Sequence, residues 1–594
     1  MKAIILSAGY GNRMRPLTDG RHKTLLTVGG KTIIDRIVEG LVAAGVHEML
    51  VVTGYRADEL EAHLLGAHPA VKFVFVRNER YRETNNIFSL SLAFARESFD
   101  QDIVLVESDL VCEPAVFERI VKTPHENAAL LARYQTGLDG TVVTIADGIV
   151  TGVIPPHLQA NDFSFADKYK TLNIYKFSRD FCRKTFRQLL TYYAQTIDDN
   201  CYYELVLGIL IYLKKATIGA ELIETEKWSE VDDPNDLRIA EMTFNPAGKR
   251  KLLEETAGGY WSVDVTDFSY LRNVHFPNSS MLAELKNNLP KLLWNYGSRQ
   301  SILNEKLALF LLCRSERVTA LNGASQSYPF LAARFAGKRA LLPAPTFGEY
   351  PRTFPGALTY ADAVGIDVRE VEQRAEKADV VVFVNPNNPT GSLVPTAFIH
   401  DFARRHPMKT VLVDESFLAF SDERSIVAFL EEEPLDNVLV VVSLSKTLGI
   451  PGARLGYVYA SDAAFNRDLA RALPIWNMNS IAEHVLEIVL KHRTSLAESF
   501  RATAVDRELF AALLEKTPAV ERVHRGGGNF VLARLRREFG SAASVATRLL
   551  ERHGLYVKDV SEKFGNEGNH LRLAVRSQSE NRTLVAALGS FVPR

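Results

Sequence analysis

Cysteine is scarce, with four residues at positions 112, 182, 201 and 313 of 594 and no Cys-x-x-Cys pair. That argues against a disulfide framework or a cysteine zinc cluster and fits a reducing, cytoplasmic setting. Net charge is missing too. Seventy basic residues against seventy-one acidic ones leave a formal charge of -1. No global field then draws the chain to nucleic acid or an anionic membrane, so any anion site is local. The longest apolar run, residues 202–213, carries Glu204 and falls short of the roughly 20 residues of a membrane span, so a core helix is expected there. The opening MKAIILSAGYGNRM reaches glycines and Arg13 too soon for a secretory signal and reads as a buried strand.

What is present is richest at VVSLSKTLGIPGARLG, residues 441–456. Lys446 can form a Schiff base with an aldehyde. Ser443 and Ser445 can donate hydrogen bonds to a phosphate, and Arg454 can clamp that phosphate with its planar fork. Pyridoxal phosphate requires such a set, although a lysine in a surface glycine-rich loop matches the same short stretch.

The first part of the chain alternates apolar runs with helical ones, KAIILSA, TIIDRIVEGLVAAG, EMLVVTGY and RADELEAHLL, which predicts a parallel sheet wound with helices. The first run enters Ala8, Gly9, Tyr10, Gly11, Asn12 and Arg13, a turn whose amides can approach phosphates. A third glycine is absent, as is a Gly-Lys-Ser/Thr ending, so neither the dinucleotide fingerprint nor the P-loop fits. Further on, IVLVESDLVC ends in Glu107 and Asp109, and WSEVDDPNDLRIAE offers Asp232. Carboxylates at strand ends can hold a magnesium ion bridging phosphates, or simply cap a turn.

These motifs resemble the nucleotidyltransferases that make nucleoside-diphosphate sugars and activated choline, with Ala-Gly-x-Gly-x-Arg followed by Pro-Leu-Thr and then Lys23. His22 stands where that family usually has proline. The resemblance implies a Rossmann-like domain in which Ala8, Gly9 and Gly11 wrap the triphosphate, Arg13 and Lys23 neutralise charge at the reacting phosphorus, and Asp109 and Asp232 hold Mg2+. The NERYRETNNIFSLSLAF segment looks most like the bacterial choline-phosphate cytidylyltransferase branch and points to CTP. Asn85 and Asn86 are candidates for a base or ribose edge, with helix capping as the alternative. Lys168 and Lys170 are candidates for an acceptor phosphate or phosphonate, or are solvated on an exposed strand.

Residues 245–258, bracketed by glycine and proline, read as a linker between a domain at 1–244 and another at 259–594. In the second domain, successive strands drop functional groups at their carboxyl ends, where parallel sheets bind ligands. These are Gly323, Ala324 and Ser325, then Phe347, then Asn388 within NPNNPTG, then Asp414, then Lys446.

This half resembles fold-type I, class I/II aminotransferases, near the histidinol-phosphate aminotransferase and threonine-phosphate decarboxylase branches. The resemblance implies large and small lobes and pyridoxal phosphate on Lys446. Asp414 then faces the pyridine nitrogen, Asn388 the ring hydroxyl and Phe347 the ring face. The phosphate falls to Ser325, Ser443 and Arg454, with Tyr296 arriving from a neighbouring subunit and so implying a homodimer. Phe417 stands where a tyrosine is common. Arg572 is the expected grip on a substrate carboxylate or phosphate, with Arg576, four residues on, a rim charge. GGGNFVLARL reads as a loop and strand of the small lobe.

Together the halves resemble fused enzymes of phosphonate tailoring. The expected activity is amination of phosphonoacetaldehyde to 2-aminoethylphosphonate, with an amino acid as donor, and activation of that product by CTP. The alternatives are decarboxylation of a phospho-amino acid by the second half, or one half kept as a non-catalytic binding module.

Overall fold

The computed structural model describes residues 1–593 except 136–137, 160–162 and 363–364. The chain divides into two compact units, Met1–Val263 and Asp264–Arg594.

The first unit is built on a nine-stranded sheet. Its strands are β1 (Lys2–Ser7), β2 (Glu48–Thr53), β3 (Lys72–Arg77), β4 (Ile103–Glu107), β5 (Ala128–Arg133), β6 (Val142–Ala146), β7 (Ile149–Ile154), β8 (Tyr169–Phe177) and β9 (Gly219–Ile223). They lie in the order β3-β2-β1-β4-β8-β5-β9-β7-β6. The wound parallel part expected from the alternating pattern runs through β3-β2-β1-β4, and one further parallel pair, β5 with β9, lies farther along the sheet. Between them β8 enters antiparallel to both β4 and β5, so the sheet is mixed. Ile5, Val51 and Val104 face one core, while Ile4, Leu50 and Leu105 face the other. Burial on both faces is why these strands read as continuous apolar runs rather than alternating ones. The run at 202–213 is the helix Glu204–Tyr212, packed in the second of those cores.

The stretch expected to be a linker differs. Asn245 caps a helix over Pro246–Thr256 through its side chain, and Leu253 on that helix is fully buried. Proline at the first helical position and a capping asparagine start a helix as readily as they mark a loop. The contact division accordingly falls at Val263/Asp264, beyond the expected start at 259.

The second unit has a seven-stranded sheet of β10 (Val318–Leu321), β11 (Ala340–Ala344), β12 (Leu358–Ala361), β13 (Val380–Val384), β14 (Thr410–Asp414), β15 (Val438–Val442) and β16 (Gly456–Ala460). Their order is β10-β16-β15-β14-β13-β11-β12, parallel except for β16, which is antiparallel to both neighbours. A smaller antiparallel sheet follows, β17 (Val520–His524), β18 (Phe530–Leu535), β19 (Lys558–Asp559) and β20 (His570–Ala574), with its own apolar core. Among the described residues no helix is long and apolar enough to cross a membrane.

Candidate functional site

Each unit carries one cavity at the carboxyl ends of its parallel strands, where a wound sheet leaves room between loops. In the first unit a space of about 290 Å³ is lined by Ala8, Gly9, Gly11, Arg13, Lys23, Asn85, Asn86, Glu107, Asp109 and Asp232. Every expected nucleotide and metal residue meets there. Gly11 holds φ at 62°, the left-handed region that glycine enters at little cost, and Thr18 donates a hydrogen bond to its carbonyl. Lys23 Nζ lies 2.9 Å from Asp232 and 3.3 Å from Asp109, and Arg13 lies 2.7 Å from Asp232. Burial alone lowers the Lys23 pKa, but the two carboxylates outweigh it and raise it. Asp233, not Asp232, caps the following helix Pro234–Phe244 in a reciprocal box with Asp236, which leaves Asp232 free to face the cavity.

His22, the departure from the family's proline, is buried, with Nδ1 2.8 Å from the Thr24 hydroxyl and Nε2 3.2 Å from the Ser7 carbonyl. Burial pushes its pKa down to about 4. Asn85 caps the helix Asn86–Arg96 by accepting from the Asn86 amide. Asn86 turns inward, donating to Glu107 at 2.9 Å and Glu204 at 3.4 Å and accepting from the Tyr203 amide. Burial and mutual repulsion raise the Glu107 pKa, and burial raises that of Glu204. No local pattern signals this carboxylate pair, since its members lie far apart in the chain.

Two lysines behave otherwise than expected. Lys168 does not line the cavity, and its ammonium sits over the Phe163 ring. Lys170 is 1 % exposed and paired with Glu230 at 3.1 Å, so it is not a solvated edge charge.

Among the described residues no three His, Cys, Asp or Glu side chains are arranged to hold a metal alone. Asp109 and Asp232 nevertheless suit a hard cation that takes its other ligands from phosphates and water. Asp109 Oδ1 is buried without a hydrogen-bond partner, an acceptor such an ion would satisfy.

In the second unit a cavity of about 880 Å³ is lined by Ala324, Ser325, Phe347, Asn388, Asp414, Phe417, Ser443, Lys446, Arg454 and Arg572. Lys446 sits just after β15, and burial, then Arg572 and Arg454, push its pKa down to about 8. A lysine held so is readily free as an amine. Asp414, at the end of β14, accepts from the Tyr350 hydroxyl at 2.8 Å and the Ser416 amide at 2.9 Å. Burial raises its pKa despite those donors. A buried carboxylate of this kind gains from a cation, and a pyridinium nitrogen is one. Tyr350, fully buried, was missed in the sequence because it lies outside any recognisable motif.

The phosphate end is formed by Arg454, whose Nη2 donates to the Ser325 hydroxyl at 3.0 Å. Gly323, at φ 87°, lies under this guanidinium, and a Cβ there would fall 2.6 Å from Nη2. This cradle, the amine of Lys446 and the carboxylate of Asp414 fit an aldehyde-bearing, phosphorylated pyridine.

Ser445, expected at the phosphate, instead spends its hydroxyl on the Leu455 backbone, accepting from its amide and donating to its carbonyl. Tyr296 is 80 % exposed, stacked on Trp476 at 4.5 Å, and does not reach the cavity of its own chain. Phe417 packs edge-on against Phe530 at the cavity wall.

Arg572, on β20, donates to Asn388 Oδ1 at 2.9 Å and to the Ser269 carbonyl, while its Nε is buried without a partner. Asn388 thus spends its side-chain oxygen on this arginine. Burial lowers the Arg572 pKa to about 10. Arg576 is not a rim charge. It lies past the strand end, donating to the Asp267 carbonyl and pairing with Glu580 at 2.6 Å.

Comparison with known proteins finds a family for each half of the chain. The family model "Aminotransferase class I and II" matches residues 267–588, and "Nucleotidyl transferase" matches residues 2–137. The chain is 33 % identical over its whole length to CMP-5'-(3-aminopropyl)phosphonate synthase of Streptomyces rubellomurinus, covering 95 % of that protein. It is 29 % identical to L-serine phosphate decarboxylase of Sulfurospirillum multivorans, over 52 % of this chain and 81 % of the relative. The solved structure of a decarboxylase from Sulfurospirillum multivorans superposes with a TM-score of 0.51 at 27 % identity, over 57 % of this chain and 91 % of that one. The chain therefore belongs to the class I and II aminotransferases, carries a nucleotidyl transferase domain ahead of that half, and is a bifunctional enzyme.

Proposed function

We propose that the two halves act on one small compound bearing both an amine and a phosphorus oxyanion. The second half transaminates phosphonoacetaldehyde to 2-aminoethylphosphonate. The first activates that product with CTP, giving a CMP-aminophosphonate and pyrophosphate. The observation that carries this reading is the presence on one chain of two differently built cavities, one suited to a nucleoside triphosphate and one to an amine-handling cofactor. The name of the full-length relative, a CMP-aminopropylphosphonate synthase, supports it.

In the second unit Arg454, Ser325 and Ser443 would hold the phosphate of pyridoxal phosphate, with Asp414 at the ring nitrogen and Lys446 at its aldehyde carbon. The cofactor supplies an electron sink for the substrate's α-carbon. Lys446 then moves the proton, since its amine is largely unprotonated above about pH 8. Arg572, with one donor unspent, grips the carboxylate or phosphonate. A homodimer follows if Tyr296 serves the cavity of a second copy.

In the first unit Arg13 and Lys23 would leave their carboxylates for the triphosphate, and Asp109 and Asp232 would hold Mg2+. Withdrawing charge from the α-phosphorus exposes it to the incoming phosphonate oxygen.

A second reading, decarboxylation of a phospho-amino acid, is favoured by the likeness of this half to L-serine phosphate decarboxylase. Incubation with phosphonoacetaldehyde and alanine, then with phosphoserine, while following amine and CO2, separates the two. Absence of 2-aminoethylphosphonate in the first mixture sinks the transaminase reading. A pyrophosphate-release screen of nucleotides against phosphonates and phosphate esters tests the other half.

A further inference from the structure

We propose that Glu107, backed by Glu204, is the binding site in the first unit for the ammonium group of the compound activated there. This rests on the reading that the acceptor carries an amine.

The charges around the nucleotide cavity do not balance. Five carboxylates gather there: Glu107, Asp109, Glu204, Glu230 and Asp232. Lys23 pairs with Asp109 and Asp232, Arg13 with Asp232, and Lys170 with Glu230. Among the described residues, Glu107 and Glu204 are left without an ion-pair partner and share the single amide of Asn86, at 2.9 and 3.4 Å. A neutral amide is poor compensation for two buried carboxylates, so a cation brought by a ligand would stabilise them.

A second observation points the same way. The Tyr203 hydroxyl is fully buried against both carboxylates with Glu107 as its hydrogen-bonding neighbour, and among the described residues no group donates to its oxygen. Its oxygen is an unused acceptor beside the acidic pair.

The approach is from the cavity side. Glu107 lines the cavity together with Gly9, Arg13 and Lys23, whereas Glu204 lies behind it. An alkylammonium entering there offers three donors, which Glu107 can accept from the cavity side, while its phosphonate end reaches back toward Arg13 and Lys23. A divalent cation suits the pair less. It needs several oxygens at about 2.0–2.6 Å, whereas the Asn86 amide directs N–H groups at both glutamates.

The test uses the full chain with CTP and Mg2+, reading pyrophosphate release with 2-aminoethylphosphonate and with ethylphosphonate, which lacks the amine. The wild type is expected to favour the amine compound about 10- to 100-fold in kcat/KM. Glu107→Gln should collapse that ratio, chiefly by raising KM for 2-aminoethylphosphonate, and Glu107→Asp should recover part of it. Glu204→Gln, a second and more distant variant, should lower the ratio less. A wild-type ratio near one, or an unchanged ratio in a Glu107→Gln protein that melts like the wild type, overturns the proposal and leaves cytidylylation intact. Equal loss with both acceptors also overturns it, assigning Glu107 to metal or nucleotide instead. If the wild type releases pyrophosphate with neither phosphonate, the cytidylylation reading fails, and the ammonium site with it.

Discussion

The two cavities prepare for anions in opposite ways. In the first unit Lys23 and Arg13 are already held by Asp109 and Asp232, so a triphosphate must displace internal partners and bring a metal to take over the carboxylates. In the second unit Lys446 and Arg572 have their pKa values pushed down to about 8 and about 10, first by burial, which outweighs the nearby carboxylates of Asp414 and Asp267. In one site the cations are paired until the ligand exchanges their partners. The other is held with charge unspent, ready for a cofactor that stays. A cofactor that remains bound through many turnovers can carry the cost of buried, unpaired cations, since binding repays it continuously. A nucleotide that must leave each cycle benefits from internal carboxylates that take the cations back.

The sharpest way to break this comparison is to remove one centre and watch the other. Lys446→Ala should lower amine transfer on the order of 10³-fold or more while leaving pyrophosphate release from CTP in place. A matching loss in both assays would mean the sites are not separate. Asp109→Asn should lower pyrophosphate release roughly 100- to 1000-fold and weaken its Mg2+ dependence, with amine transfer unchanged.

A smaller effect concerns pH. His22 has its pKa lowered to about 4 in the folded chain by burial, against about 6.5 unfolded. Its neutral form therefore contributes stability that is present above about pH 6.5 and is lost as pH falls toward 4, by about 3 kcal/mol at most. Unfolding of the first unit, followed calorimetrically from pH 7 to 4, should show that loss, and His22→Gln should flatten it. The smallest effect expected is at the phosphate cradle. Gly323→Ala adds a Cβ under Arg454 at a backbone angle that disfavours it. Cofactor affinity, titrated by absorbance, should fall about tenfold.

The sequence made the second cavity more legible than the surroundings of the first. Asp414 and Lys446 follow apolar strands at their carboxyl ends, and such positions announce themselves because each strand delivers its next polar group to one side of a parallel sheet. Side-chain direction within a turn was less readable. Ser445 is two residues from Ser443, yet it serves the Leu455 backbone because the short helix Leu444–Thr447 rotates it inward. The spacing of Lys168 and Lys170 suggested an exposed strand edge, but β8 runs between β4 and β5, and Lys170 is enclosed. Glu204 was placed correctly in a core helix, but its meeting with Glu107 through Asn86 depends on packing that no local pattern encodes.

The helix Pro246–Thr256 has a practical corollary for dissecting the enzyme. A gene truncated after codon 244 would discard that helix and, with it, Leu253, whose buried side chain belongs to the first unit. The fragment should expose the apolar surface that Leu253 covers and precipitate or melt early. A cut between codons 263 and 264 keeps the helix with the fold it completes, and is the division at which each activity is best sought alone.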